Sequence, residues 1–355
     1  MKNVEKEIGG KTLTLETGKI ARQSAGSIVL TYGETVLLVA VNAAKEARED
    51  IGYFPLQVEY REKHYASGKI PGGFFKREAR PTEGEVLTSR LTDRPIRPLF
   101  PKSFKNETQV MVTVLQSDGE NLSDTWAGVG ASAALLISNI PWNGPIATVR
   151  VGLIGSDFIF NPTREQLDEC LFEMVVSGNK ENIVMVEGEA KEVKEDVIIE
   201  GLKYAHKYIL EIISVQEDLA SMLDISKMDI HEVAQNAELD AFVKGDFNDK
   251  IDQIVKITDK VVRNESKSEL TEAILSSANE KFPDQENEIK SIIDALFKES
   301  MREMILSDGV RSDGRATTDI REITIDPSIL KRVHGSALFT RGETQALVVT
   351  TLGSK

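Results

Sequence analysis

Residues 72–85 run Gly72-Gly73-Phe74-Phe75-Lys76-Arg77-Glu78-Ala79-Arg80-Pro81-Thr82-Glu83-Gly84-Glu85 and bring together two kinds of chemistry. Aromatic rings stack on unpaired bases, and Lys and Arg meet phosphates. Paired glycines ahead of Phe74, Phe75, Lys76 and Arg77 therefore predict a mobile loop that grips single-stranded nucleic acid. The competing reading places both rings in a core. Arg80 extends the basic run, and Arg90, Arg94 and Arg97 follow within Thr88–Pro101. Arg90 and Arg94 are four apart, on one face of a helix predicted to end at Pro95. For these last three arginines, RNA contact stands beside ion pairing to nearby acids or between subunits.

Residues 61–105 hold eleven Lys and Arg against five acids, a local charge of +6 in a chain whose net charge is −14. A basic stretch on an acidic body suits an anionic substrate held at one place and repelled elsewhere. The alternative is a basic strip that makes intersubunit salt bridges.

Other centres are weaker. Asp118-Gly119-Glu120-Asn121-Leu122-Ser123-Asp124-Thr125 precedes an apolar helix. A phosphate site there would need convergent donors, and three carboxylates would repel the anion. Asp124 reads as a helix N-cap. Asp118, Glu120 and Asp124 holding Mg²⁺ is the less favoured alternative to solvated loop acids. His64, His206, His231 and His334 have no nucleophile beside them, and the single Cys170 reads as a small buried hydrophobe in a reducing compartment. The N-terminus lacks the apolar run of a secretory signal, and no apolar stretch approaches membrane-spanning length, which predicts a cytoplasmic protein with no membrane partner.

The elements that must position these residues follow from periodicity. Thr12–Leu15, Ser27–Leu30 and Thr35–Val41 predict an antiparallel meander with a turn at Tyr32-Gly33. Thr108–Leu115 predicts a strand and Trp126–Ile140 a buried helix. Strands are expected at Ile146–Leu153, Phe158–Phe160, Leu171–Ser177 and Asn182–Glu187, an amphipathic stretch at Arg164–Cys170, and a helix near Lys194–Ile213. From about Asp229 the apolar spacing turns helical throughout, and Ser307-Asp308-Gly309 closes that region with a C-cap signal. The order predicts an α+β fold.

Gly26-Ser27-Ile28-Val29-Leu30-Thr31-Tyr32-Gly33-Glu34-Thr35-Val36-Leu37-Leu38-Val39 returns 309 positions later as Gly335–Val348, with eight of fourteen positions identical. Two copies of one supersecondary unit are expected, the second only started. The predicted organisation is a first domain over 1–228, an all-helical domain over 229–308, and the incomplete beginning of a second copy over 309–355.

Gly72–Glu78, followed by Arg90-Leu91-Thr92-Asp93-Arg94-Pro95-Ile96-Arg97-Pro98-Leu99-Phe100-Pro101, resembles the first core domain of the bacterial polynucleotide phosphorylase family. Gly130–Leu135, Asn143–Ile146 and Gly335–Gln345 resemble the same family in order and spacing, so the resemblance covers essentially the whole chain. It implies two RNase PH-like domains joined by a helical domain, a homotrimeric ring with a central channel, and phosphate-dependent 3′-to-5′ exoribonuclease activity on single-stranded RNA. The products would be nucleoside diphosphates, polymerised in the reverse reaction. It further implies Mg²⁺, inorganic phosphate as co-substrate, a part in mRNA decay and RNA processing, and two small RNA-binding domains beyond the second core. Phe74, Phe75, Lys76 and Arg77 take the role of the channel loop that grips RNA. No catalytic or metal-binding residue is carried over, because the family's phosphate-binding and metal-binding side chains fall beyond residue 355.

Two functions of different class follow. In one, this portion supplies the RNA-gripping channel and ring scaffold of a polyribonucleotide nucleotidyltransferase, inactive alone. In the other, it is a noncatalytic RNA-binding or assembly module. Other RNA-decay proteins are possible partners in either.

Overall fold

The apolar alternation of the first residues builds four consecutive antiparallel strands: β1 (Lys2–Ile8), β2 (Lys11–Thr17), β3 (Gly26–Tyr32) and β4 (Thr35–Ala43). Along β4, Thr35, Leu37, Val39 and Val41 are buried in turn, the two-residue pleat of a sheet with one face on a core. The computed structural model describes every residue except 49–51, 73–77, 79, 231–235, 280, 284 and 355. The mobile loop expected at Phe74, Phe75, Lys76 and Arg77 lies outside the described residues.

β5 (Leu56–Glu62) and β6 (Thr108–Gln116) complete a six-stranded sheet ordered β1-β2-β3-β4-β6-β5. β5 runs parallel to β6, and a parallel neighbour requires a crossover. Residues 63–107 supply it through α1 (Glu83–Ile96), so the basic stretch and the β5–α1–β6 crossover are nearly the same segment. Beyond β6 come α2 (Asp124–Ile137), β7 (Ala147–Ile154), β8 (Asp157–Phe160), α3 (Arg164–Glu169), β9 (Phe172–Gly178), β10 (Ile183–Ala190) and α4 (Glu195–Ser221). A second antiparallel sheet has the order β10-β9-β7-β8.

Three helices lie against the first sheet: α1 on β5, α2 on β3 and β4, and α4 on β1 and β2. Their other sides meet the second sheet, α2 and α4 on β7, and α1 on β10. A helix between two sheets must be apolar all round, and every residue from Thr125 to Leu135 is buried. Gly128 and Gly130 make the fit possible. A Cβ on Gly128 would sit 2.6 Å from Thr148 Oγ1 of β7, and one on Gly130 2.6 Å from Val39 Cγ2 of β4. Buried polar groups close on one another: Ser132 Oγ donates to Gln216 Oε1 (2.7 Å), Gln216 Nε2 to the Ile146 carbonyl (2.8 Å), and Ile146 N–H to Ser132 Oγ (3.0 Å).

α2 begins two residues earlier and ends three residues earlier than its apolar run predicts. Ser138 turns extended, and Lys227 Nζ donates to the carbonyls of Leu135, Leu136 and Ser138, satisfying the helix end. The expectation that Asp124 caps α2 is corrected as well. Ser123 precedes the first helical residue, and the Asp124 carboxylate pairs with Arg150.

The chain divides into two compact units, Met1–Val233 and Ala234–Lys355. The second holds α5 (Ala237–Val255), α6 (Lys260–Asn279) and α7 (Glu286–Asp308), packed through Val243, Ile251, Ile274, Ile289, Ile293 and Leu296. Gly309, at φ 67°, supplies the left-handed residue that ends α7. A three-stranded sheet follows, β11 (Ile323–Pro327), β12 (Gly335–Arg341) and β13 (Thr344–Thr350).

The sequence repeat is a structural one. Gly26 faces Val41 and Tyr32 faces Thr35 in the first hairpin; Gly335 faces Thr350 and Arg341 faces Thr344 in the second. The turn falls on Gly33-Glu34, one residue later than expected, with Gly33 at φ 60° and its counterpart Gly342 at φ 59°. The environments differ: Val39 is fully buried, while the equivalent Val348 is 52% exposed. Among the described residues no helix is long and apolar enough to cross a membrane.

Candidate nucleic-acid interface

The crossover is fastened at its helix start. Thr82 Oγ1 accepts the Glu85 N–H (3.2 Å) while Glu85 Oε2 accepts the Thr82 N–H (2.6 Å), a capping box. The second Glu85 oxygen accepts the Glu62 N–H at 2.9 Å, so one carboxylate joins the first turn of α1 to the end of β5. At its other end α1 does not stop at Pro95. It runs to Ile96 and continues as a 3-10 turn, Arg97–Leu99. The turn is held from outside: Trp142 Nε1 donates to the Ile96 carbonyl at 3.0 Å, and Arg97 ties it to β5.

The sequence-predicted arginines separate into two groups. Arg97 grips Asp93 with two nitrogens (2.8 and 2.6 Å) and donates to the carbonyls of Phe54 (3.2 Å) and Leu56 (3.0 Å). Arg94 pairs with Glu187 of β10. Both therefore have internal work. Arg80 and Arg90 make no side-chain hydrogen bond or ion pair among the described residues, and each lines a cavity.

The larger cavity, about 920 Å³, lies between the end of β5, the 3-10 turn His64–Ser67 and the start of α1. Its cations are Arg61, Lys63, Lys69 and Arg80; its acids are Glu62, Glu78 and Glu85. Each acid is already engaged. Glu85 holds the helix cap. Glu62 accepts the buried Tyr60 hydroxyl at 2.8 Å, and that oxygen in turn contacts Ser123 Oγ at 2.6 Å. Burial, with the Glu62 charge beside it, pushes the Tyr60 phenol well above its ordinary range.

Glu78 accepts the His64 N–H (2.7 Å), meets His64 Nδ1 (2.9 Å), and accepts from Lys63 Nζ (3.1 Å). These bonds, the backbone N–H of His64 foremost, draw its carboxyl down to about 2. With the acids occupied, the donors left to a ligand among the described residues are those of Arg61, Lys69 and Arg80. The smaller cavity, about 490 Å³, lies along α1 and β5 and carries Arg90, Arg94 and Asp93. Arg61 lines both cavities.

Sequence reasoning passed over Arg61, Lys69 and Glu78 as site residues. Their only signal was membership in the charged segment, because convergence of positions 61, 69, 80 and 90 depends on the crossover geometry.

The acidic loop before α2 does not fit a metal. Burial acts to raise the Asp118 carboxyl, but the N–H groups of Asn121 and Glu120 and the Asn121 amide outweigh it and hold the carboxyl below its usual range. Asp124 faces Arg150, which also meets Glu173 at 3.1 Å, and Glu120 lies 3.6 Å from Lys11. Among the described residues, no three His, Cys, Asp or Glu side chains are gathered as a metal site.

Comparison with known proteins gives this arrangement its context. Residues 9–141 match the 3′ exoribonuclease family, domain 1, and residues 144–208 match domain 2 of that family. Residues 238–316 match the polyribonucleotide nucleotidyltransferase RNA binding domain. The polyribonucleotide nucleotidyltransferase of Geotalea uraniireducens is 46% identical over 99% of this chain and 50% of its own length. That of Thermomicrobium roseum is 45% identical over 98% of this chain and 45% of its own. A solved chain, rice (Oryza sativa) Rrp46, aligns with TM-score 0.49 and 14% identity over 59% of this chain and 94% of that one.

Two consecutive 3′ exoribonuclease domains define the class of the first unit. The chain belongs to the polyribonucleotide nucleotidyltransferase family, and it spans about half the length of the curated relatives it matches.

Proposed function

We propose that this chain is the RNA-handling portion of a phosphate-dependent 3′-to-5′ exoribonuclease that releases nucleoside diphosphates from single-stranded RNA. The observation that carries this reading is the β5–α1 crossover, where three carboxylates are engaged internally while Arg61, Lys69 and Arg80 line an open cavity beside Gly72 and Glu78. Phe74, Phe75, Lys76 and Arg77 grip the strand by stacking and charge, and Arg80 and Arg90 meet its phosphates. Arg94 acts through its ion pair with Glu187, and Arg97 through its bonds to the Phe54 and Leu56 carbonyls, which together hold α1 in place.

In this reading the domains divide as 1–228, 229–308 and 309–355, with the last a copy of the meander that opens the first. The phosphate-binding and Mg²⁺-binding groups belong to residues outside this chain. That assignment agrees with the internal pairing of Asp118 and Asp124 and with a chain covering half of its relatives' length. The assembled enzyme is a homotrimer in the cytoplasm, with inorganic phosphate as co-substrate and other RNA-decay proteins as partners.

The test is ADP release from a labelled single-stranded oligoadenylate, with phosphate and Mg²⁺, by this chain and by one extended through a second core domain. Release by the extended chain alone is expected. Release by the short chain would place a centre within residues 1–355, and release by neither would favour a noncatalytic binding module.

A further inference from the structure

We propose that Arg61 is a phosphate-contact residue shared by two adjacent nucleotide subsites, so that one strand of RNA occupies both cavities of the crossover. The inference rests on the RNA-handling reading and adds a residue and a path to it. Arg61 sits on β5, an edge strand of the six-stranded sheet, and lines the 920 Å³ cavity that holds Lys69 and Arg80 as well as the 490 Å³ cavity that holds Arg90. Each volume falls within the range of small-ligand sites. Arg61 is half-buried and makes no side-chain hydrogen bond or ion pair among the described residues.

Its neighbours differ. On either side of it along the strand, the Tyr60 hydroxyl and the Glu62 carboxylate bond each other, and Asp93 at the far cavity is held by Arg97. Glu59, which also lines the far cavity, accepts the Gln57 amide at 2.7 Å. A planar guanidinium between two openings, with Glu59, Glu62 and Asp93 each bonded to another side chain, suits a phosphodiester that links one nucleotide to the next. The cations then read in spatial order Arg80, Arg61, Arg90, an order that their numbering conceals.

The experiment measures binding of a fluorescent oligoadenylate to the full chain across a series of salt concentrations, for the wild type, Arg61→Gln and Arg61→Lys. In Arg61→Gln the slope of log K against log salt should fall by about 0.7, the value for one phosphate contact on a single strand. Arg61→Lys should restore the slope, and the thermal transitions of all three proteins should coincide. An unchanged slope in Arg61→Gln, with a wild type that binds, would overturn the shared subsite and leave the RNA-handling reading intact. A wild type that binds no oligoadenylate would overturn both. An unchanged oligomer slope with loss of ADP binding in Arg61→Gln would also overturn it, by assigning the residue to a free nucleotide.

Discussion

The Glu78 carboxylate reaches back across the crossover to His64, taking its backbone N–H at 2.7 Å and meeting its ring Nδ1 at 2.9 Å. With Lys63 Nζ as third partner, this clasp draws the Glu78 carboxyl from an ordinary 4.5 down to about 2. A depressed carboxyl contributes stability that is fully present above its unfolded value and lost as pH falls through its folded value. The clasp should therefore hold at pH 4.5 and release as pH falls toward 2. Carboxyl-carbon NMR titration of Glu78 should show a midpoint near 2, and a midpoint near 4.5 would mean that the three donors are not engaged.

Arg97 and Arg90 should respond oppositely to substitution. Arg97→Met removes donors to the Phe54 and Leu56 carbonyls and the Asp93 pair; because the side chain is 40% exposed, the ion pair adds little. A loss of about 1–2 kcal/mol in urea unfolding is expected, with the salt slope of oligoadenylate binding unchanged. Arg90→Gln should leave unfolding within about 0.5 kcal/mol of wild type and lower the slope by about 0.7. The reverse pattern would exchange their roles.

Changing Phe74 and Phe75 together to Ala should weaken oligoadenylate binding by about 1–3 kcal/mol for each stacked base lost. Fluorescence titration reads the change directly. Affinity equal to wild type would remove these residues from the strand-gripping loop.

Gln216 carries a stability test distant from the crossover. Its side chain is fully buried and serves both Ser132 and the Ile146 carbonyl. Gln216→Leu orphans both, at about 1–3 kcal/mol each, a loss that urea denaturation should detect. A variant as stable as wild type would mean that water or repacking satisfies those groups.

Much of the fold was legible because its signals are local. The hairpin from Gly26 to Val39 announced itself by repetition, and its copy reproduces the pairing residue for residue. The α+β class followed from the alternation of β4 and the all-apolar α2. β1 was missed because Lys2, Glu5, Lys6 and Glu7 give an edge strand little apolar character, and β5 was hidden at the border of the charged segment. Pro95 misled because external bonds from Trp142 and Arg97 carry the chain past the helix break.

The candidate site was less legible for a related reason. Eleven cations in one segment say that charge is concentrated, but which of them are free depends on acids far away in sequence. Glu187, 93 residues beyond Arg94, meets it only because β10 lies beside α1. Arg61 and Arg90 converge only because β5 and α1 pack together.

Gly128 and Gly130 make α2 a spacer of fixed thickness, with one sheet bearing on each bare position. Since α1 occupies the same layer and carries Arg94 across to β10, the gauge of that spacer also sets the gap that the Arg94–Glu187 pair must span. A bulkier residue at either glycine would wedge the sheets apart, and the strain would register at the rim of the basic crossover, well away from the substitution.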